Sequence, residues 1–189
     1  MAHDIMVIGA SAGGVEALRT LVAGLPGDLR ASLFLVMHIP ATLPSALPAI
    51  LSRSGPLPAL HATEGMLIEQ GKIYVAPPDQ HLLVEQGAVH LGSGPKERYV
   101  RPAADVLFRS AASAYGSRVV GIVLTGLDGD GTAGLHAVKQ QGGVTVIQDP
   151  TEAAWSSMPQ HALEQCEVDY ALPVVRLASL LIHLAESSL

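Results

Sequence analysis

The sequence predicts an α/β fold: a doubly wound, mostly parallel sheet with helices on both faces and a β-hairpin insertion. Three observations point there. Of the 189 residues, 49% are hydrophobic and only 4% aromatic, a balance that suits strands buried on both faces better than the aromatic and Thr-rich strands of a sandwich. Short apolar runs recur, each stopped by Gly or Pro and several leading into a helical pattern, as βα units do. No low-complexity segment or internal repeat divides the chain, so one domain over residues 1–189 is expected.

Asp4–Ile8 reads as a first buried strand, Gly9–Gly14 as a tight turn, and the stretch to Leu25 as a helix. Ser32–Met37 is a second strand ending at His38-Ile39-Pro40, with a Pro-punctuated helix expected over Leu43–Leu51. Between His61 and Leu91 the period changes. Lys72–Ala76 is extended and stopped by Pro77-Pro78, while His81–Glu85 and Ala88–Leu91 flank Gln86-Gly87 as hairpin arms, so this region reads as a β-rich insertion. The polar Ser93–Pro102 segment is expected to be an exposed loop leading into a helix over Ala103–Tyr115. Arg118–Thr125 is a strand, Gly126–Gly131 a glycine-rich turn, and Thr132–Gln141 a helix stopped by Gly142-Gly143. Val144–Gln148 completes the strands, and Ser157–Glu164 and Leu177–Ala185 read as helices.

Composition removes several classes of function. The formal charge is -6, from 11 Lys and Arg against 17 Asp and Glu, and no basic run could track a phosphate backbone, so nucleic acid is not an expected partner. Cys166 is the single cysteine, which excludes an intrachain disulfide and a cysteine-based zinc cluster and fits a reducing cytoplasm. The N-terminus has no basic n-region, and later apolar runs are broken by Pro, His or charge within a helical span, so neither a signal peptide nor membrane insertion is expected.

Three segments carry candidate chemistry. Gly9-Ala10-Ser11-Ala12-Gly13 fits GxSxG between a strand and a helix, which would place Ser11 on a sharp elbow with backbone N–H groups facing a developing oxyanion. Two other readings compete: Ser11 as a helix cap, and a dinucleotide-binding turn, which would require glycine at that position and an acid rather than His38 at the end of strand two. His38, at the carboxyl end of that strand, is placed to take and return a serine proton, although a lone His also serves as a hydrogen-bonded structural residue. The Leu124–Gly131 loop offers Asp128 and Asp130, either of which could orient an imidazole or cap a helix; the spacing lacks the terminal Glu of a calcium loop. The order Ser, His, Asp differs from that of α/β-hydrolases.

Taken together, these segments closely resemble the catalytic domain of the chemotaxis response-regulator methylesterases, the CheB family. The resembling stretches are Ile8–Gly14, Val36–Pro40, Tyr74–His81, Arg101–Phe108, Leu124–Gly134 and Ser156–Pro159, which span nearly the whole chain. The resemblance implies Ser11 as nucleophile, His38 as base and Asp130 rather than Asp128 as acid, with oxyanion-hole backbone donors at Ala12 and Leu127. The family commonly has Thr and Met at those last two positions, and a backbone donor depends only indirectly on side-chain identity. It implies hydrolysis of glutamate γ-methyl esters on the cytoplasmic helices of chemoreceptors, with related glutamine deamidation, in the cytoplasm and without a metal or organic cofactor. Met1 lies a few residues before the first strand, so the expectation is a stand-alone catalytic domain without the family's receiver domain, controlled by a separate regulatory protein or constitutively active. A non-enzymatic binding module of the same fold is the rival expectation. His81, Arg98, Arg101, Trp155 and Met158 are polar or large residues near these motifs whose roles the sequence leaves open.

Overall fold

The computed structural model describes residues 2–38 and 45–187. Seven strands form one sheet: β1 (Ile5–Ala10), β2 (Ser32–Met37), β3 (Ala59–His61), β4 (Ile73–Val75), β7 (Val119–Val123), β8 (Val144–Gln148) and β9 (Tyr170–Leu172). Their spatial order is β3-β4-β2-β1-β7-β8-β9, and every neighbouring pair is parallel. The remaining two, β5 (His81–Glu85) and β6 (Ala88–Gly92), pair only with each other as an antiparallel hairpin.

Parallel neighbours need long crossovers, and helices supply most of them. Helix α1 (Gly14–Ala23) joins β1 to β2, α2 (Leu47–Ser54) precedes β3, α4 (Thr132–Gln140) joins β7 to β8, and α5 (Ser157–Gln165) leads to β9. Helix α3 (Ala104–Tyr115) follows the hairpin, and α6 (Val174–Glu186) closes the chain.

Alternation along the strands divides the interior into two layers. Met6 and Ile8 of β1 face a layer with Leu18 and Leu21 of α1, Leu51 of α2 and Leu177 of α6. Ile5 and Val7 face the other, with Leu107 and Phe108 of α3, Leu135 of α4, Met158 of α5 and the hairpin's Leu82. Each of these fully buried large side chains contributes about 1.5–3 kcal/mol. The sheet is thus covered on both faces, as the composition predicts.

The expected β-rich insertion is corrected in part. Only the hairpin stands apart, because β4 lies between β2 and β3 in the main sheet, its three residues all buried. Nothing in the sequence pattern marks the edge strands β3 and β9: at three residues each they are too short to show a period of two. Strand β1 runs two residues past its predicted end, to Ala10, which moves Ser11 to the strand terminus. The helix expected over Leu43–Leu51 begins among the described residues at Leu47 and continues to Ser54; residues 43 and 44 of that expectation lie outside the described residues.

Candidate active site

The site is built where the strand order departs in both directions from β1, at the carboxyl ends of β2, β1 and β7. In a doubly wound sheet this is the crevice where ligands collect. Ala10 pairs with Met37, so Ser11 and His38 are the next residues on neighbouring strands, and the His38 N–H donates to Ala10 O at 3.2 Å. On the other side the Ser11 N–H donates to Thr125 O at 3.0 Å, just past β7. Ser11 is thereby held between the two other predicted segments.

The sharp elbow expected at Ser11 falls instead at Gly13. Gly13 takes the left-handed conformation, φ 74°, and is the N-cap of α1, whereas Ser11 has no positive φ. No side chain caps α1, so the capping reading of Ser11 does not hold. Among the described residues no hydrogen bond joins the Ser11 hydroxyl to His38; the two share adjacent strand ends rather than a formed bond.

His38 and Asp130 are joined directly. His38 Nε2 lies 2.7 Å from Asp130 Oδ2, with the imidazole 12% and the carboxylate 1% exposed. The same carboxylate accepts two backbone amides from the first turn of α3: Ala104 N–H at 2.6 Å to Oδ2 and Asp105 N–H at 2.9 Å to Oδ1. Asp130 therefore sits on a helix N-terminus, where unpaired N–H groups and the helix dipole favour an anion. Burial alone would raise its pKa, but the bonds from His38, Asp105 and Ala104 outweigh burial and hold the carboxyl below its usual range. Asp128 takes no part. It is exposed, with φ 71°.

This approach of α3 depends on Gly9. A Cβ there would lie 2.6 Å from Ala104 Cβ, so only glycine in β1 lets the first turn of α3 reach Asp130. Gly126 plays the matching part after β7, because a Cβ on it would overlap Met158 Sδ and lie 2.8 Å from Ser11 Cβ. Beside it, the Leu127 backbone N–H donates to no acceptor among the described residues, and neither does that of Ala12. Two unengaged amides therefore flank Ser11, one from each neighbouring turn.

The sequence profile of CheB methylesterases matches residues 6–181. The chain belongs to the CheB methylesterase family. Its fold superposes on the CheB methylesterase catalytic domain of Thermotoga maritima with a TM-score of 0.92 at 32% identity, covering 97% of this chain and 100% of that one. A relative from Leptospira interrogans, whose name couples protein-glutamate methylesterase with protein-glutamine glutaminase, is 37% identical over 190 residues, 100% of this chain and 98% of its own length. A Pyrococcus horikoshii protein of the same double name is 35% identical over 98% of this chain but only 51% of its own length. The chain thus spans nearly all of one curated relative and about half of the other.

Within this CheB framework the residues left open separate clearly. His81 is 3% exposed and both ring nitrogens are engaged: Nε2 donates to Pro95 O at 2.9 Å, and Nδ1 accepts the Ala103 N–H at 3.2 Å. It braces the start of α3. Arg101 is likewise consumed, by Asp79 Oδ1 and the carbonyls of Ser93 and Gly94. Arg98 is half exposed, its Nε 3.5 Å from Asp105 Oδ2. Met158 is core, while Trp155 is 50% exposed.

Sequence reasoning missed three contributors. Ala104 and Asp105 lie in the Arg101–Phe108 stretch that carries the resemblance, but nothing local signals that their amides reach Asp130. The Thr125 hydroxyl donates to Ala12 O at 3.0 Å and accepts the Trp155 N–H at 2.8 Å, tying the serine turn to the segment before α5. Among the described residues no group of three or more His, Cys, Asp or Glu side chains could hold a metal, and no helix is long and apolar enough to cross a membrane.

Proposed function

We propose that the chain, as one catalytic domain over residues 1–189, is a serine hydrolase that converts glutamate γ-methyl esters of chemoreceptor cytoplasmic helices to glutamate and methanol, with glutamine deamidation as its companion reaction. Family membership supplies the reaction class. The observation that carries the residue roles is the 2.7 Å bond between His38 and Asp130, one strand away from Ser11.

In this reading His38 Nε2 is committed to Asp130, which leaves Nδ1 to take the Ser11 hydroxyl proton. Ser11 Oγ bonds to the ester carbonyl carbon, and the resulting oxyanion is received by the free amides of Ala12 and Leu127. Collapse breaks the bond to the methoxy oxygen, which leaves as methanol with the proton from His38. Water, deprotonated by His38, then cleaves the acyl-serine and restores the hydroxyl. With a glutamine substrate the same steps release ammonia. Asp130, held ionised by the His38 bond and two amides, stabilises the imidazolium and fixes its ring. The sequence reading calls for no cofactor, and these steps use none. A purely binding role has no use for a buried carboxylate held against His38, and family membership does not favour it.

The test is methanol release from a glutamate-methylated chemoreceptor fragment by the protein and by Ser11→Ala. Release that the substitution abolishes is expected. Equal release from both would remove Ser11 as nucleophile, and no release from either would remove the substrate.

A further inference from the structure

Trp155 is the only tryptophan in the chain, and half its surface is open to solvent although its backbone is among the most firmly held near the site. Its N–H donates to Thr125 Oγ1 at 2.8 Å and its carbonyl accepts the Gly126 N–H at 2.9 Å. The segment leading to it is tied down too: Gln148 Nε2 donates to Glu152 Oε1 at 2.7 Å, and the Val174 N–H donates to the same oxygen at 2.8 Å. Three residues later Met158 is fully buried, its N–H on Gly126 O at 3.0 Å. The chain therefore presents an indole to water at Trp155 and dips into the core three residues later, with both residues bonded to the backbone of Gly126.

The indole lies over the serine turn, with Cδ1 3.2 Å from where a Cβ of Gly13 would stand. Leu127, the residue after Gly126, is 47% exposed. Two large apolar side chains thus stand open next to Gly126, one following it in the chain and one bonded to it through the backbone, and Gly126 is packed against Ser11. Neither is needed to close the core, and a rigid, half-exposed aromatic offers apolar contact area at small conformational cost.

We propose that Trp155, together with Leu127, is a specificity-determining residue that receives an apolar side chain neighbouring the modified glutamate on the protein substrate. The assignment rests on the esterase reading above. It predicts that Trp155 governs the use of a protein-borne ester and is indifferent to a small ester lacking neighbouring side chains.

The experiment compares wild type, Trp155→Ala and Trp155→Phe on a glutamate-methylated receptor fragment and on p-nitrophenyl acetate, with circular dichroism to verify folding. For the alanine variant we expect at least a tenfold rise in KM for the fragment with kcat nearly unchanged, no change on p-nitrophenyl acetate, and substantial recovery with phenylalanine. The single indole gives a second readout. Titrating Ser11→Ala, which retains Trp155 but lacks the nucleophile, with the methylated fragment should shift the emission to shorter wavelength as the indole is covered. Unaltered KM on both substrates, equal losses of kcat on both, or no emission change at saturating fragment would each overturn the assignment while leaving the esterase reading intact. A wild-type protein idle towards both esters would overturn the esterase reading itself, and the role of Trp155 with it.

Discussion

Asp105 and Asp130 cap one another's helices. Asp130, in the turn before α4, accepts the amides of Ala104 and Asp105 at the start of α3, while Asp105 Oδ1 accepts the Gly134 N–H in the first turn of α4 at 2.7 Å. The two carboxylates are both buried and close enough to act on each other's charge, so the same exchange that locks α3 against α4 separates their proton affinities. Asp130 is held low. Asp105 is raised by burial and by the charge of Asp130, against the pull of the Gly134 amide and of Arg109 and Arg98.

The two acids should therefore leave opposite signatures on the pH dependence of stability. Folding favours ionised Asp130, so its contribution is full above the ordinary carboxylate range and is lost as pH falls through its lowered value. Folding favours protonated Asp105, so its contribution is full at low pH and declines as pH rises from the ordinary range through its raised value. In urea titrations from neutral to acid pH, Asp105→Asn should steepen the rise of stability with pH, and Asp130→Asn should flatten or reverse it. The same slope for both variants would contradict the assignment.

Asp130→Asn should also lower kcat on the methylated fragment by roughly 10³–10⁴-fold, because the amide cannot stabilise imidazolium and one of its two groups must face the α3 donors. Buried N–H groups left unpaired cost about 1–3 kcal/mol each. Steady-state kinetics and urea midpoints on the same protein separate the two effects.

Gly126→Ala adds a methyl group where Met158 and Ser11 already stand. We expect a loss of about 1–3 kcal/mol from overpacking together with a fall in activity on the order of 10²-fold as the serine is displaced. Thermal denaturation and fluorophosphonate labelling of Ser11 provide the measurements, and labelling at the wild-type rate would count against the close packing of these two turns.

His81→Ala should behave differently. It deprives the buried Ala103 N–H of its acceptor and opens a cavity, so stability should fall by about 2–4 kcal/mol. His81 touches neither His38 nor Ser11 through any bond in the site, so the pH profile of ester hydrolysis below the melting temperature should keep its shape.

Much of this was legible in the sequence because it is local. Apolar runs ending at Ile8, ahead of the serine turn, at His38 and before Asp130 mark three strand ends, and a parallel sheet brings such ends together without further instruction. The turn chemistry at Gln86-Gly87 gave the hairpin. What escaped is short or distant: β3 and β9 have no period to detect, and the contact between residues 104 and 130 leaves no mark in either segment alone. Asp130 is instructive. Reading it as a helix cap and reading it as the orienting acid seemed to compete, yet the structure assigns it to a cap and to the imidazole at once, and the helix it caps is α3 rather than the one it precedes.

That cap has an evolutionary consequence. Besides His38, the groups that keep Asp130 ionised are two peptide N–H groups, which every residue except proline carries, so substitution elsewhere along α3 leaves their charge stabilisation in place. A lysine or arginine serving the same purpose could be lost by one codon change. Drift can therefore carry the sequence far while the acid's proton affinity stays put, in keeping with a fold shared at a TM-score of 0.92 with a protein 32% identical. The constraint passes to the positions that let the helix approach, and one of them is a residue with no side chain at all, Gly9.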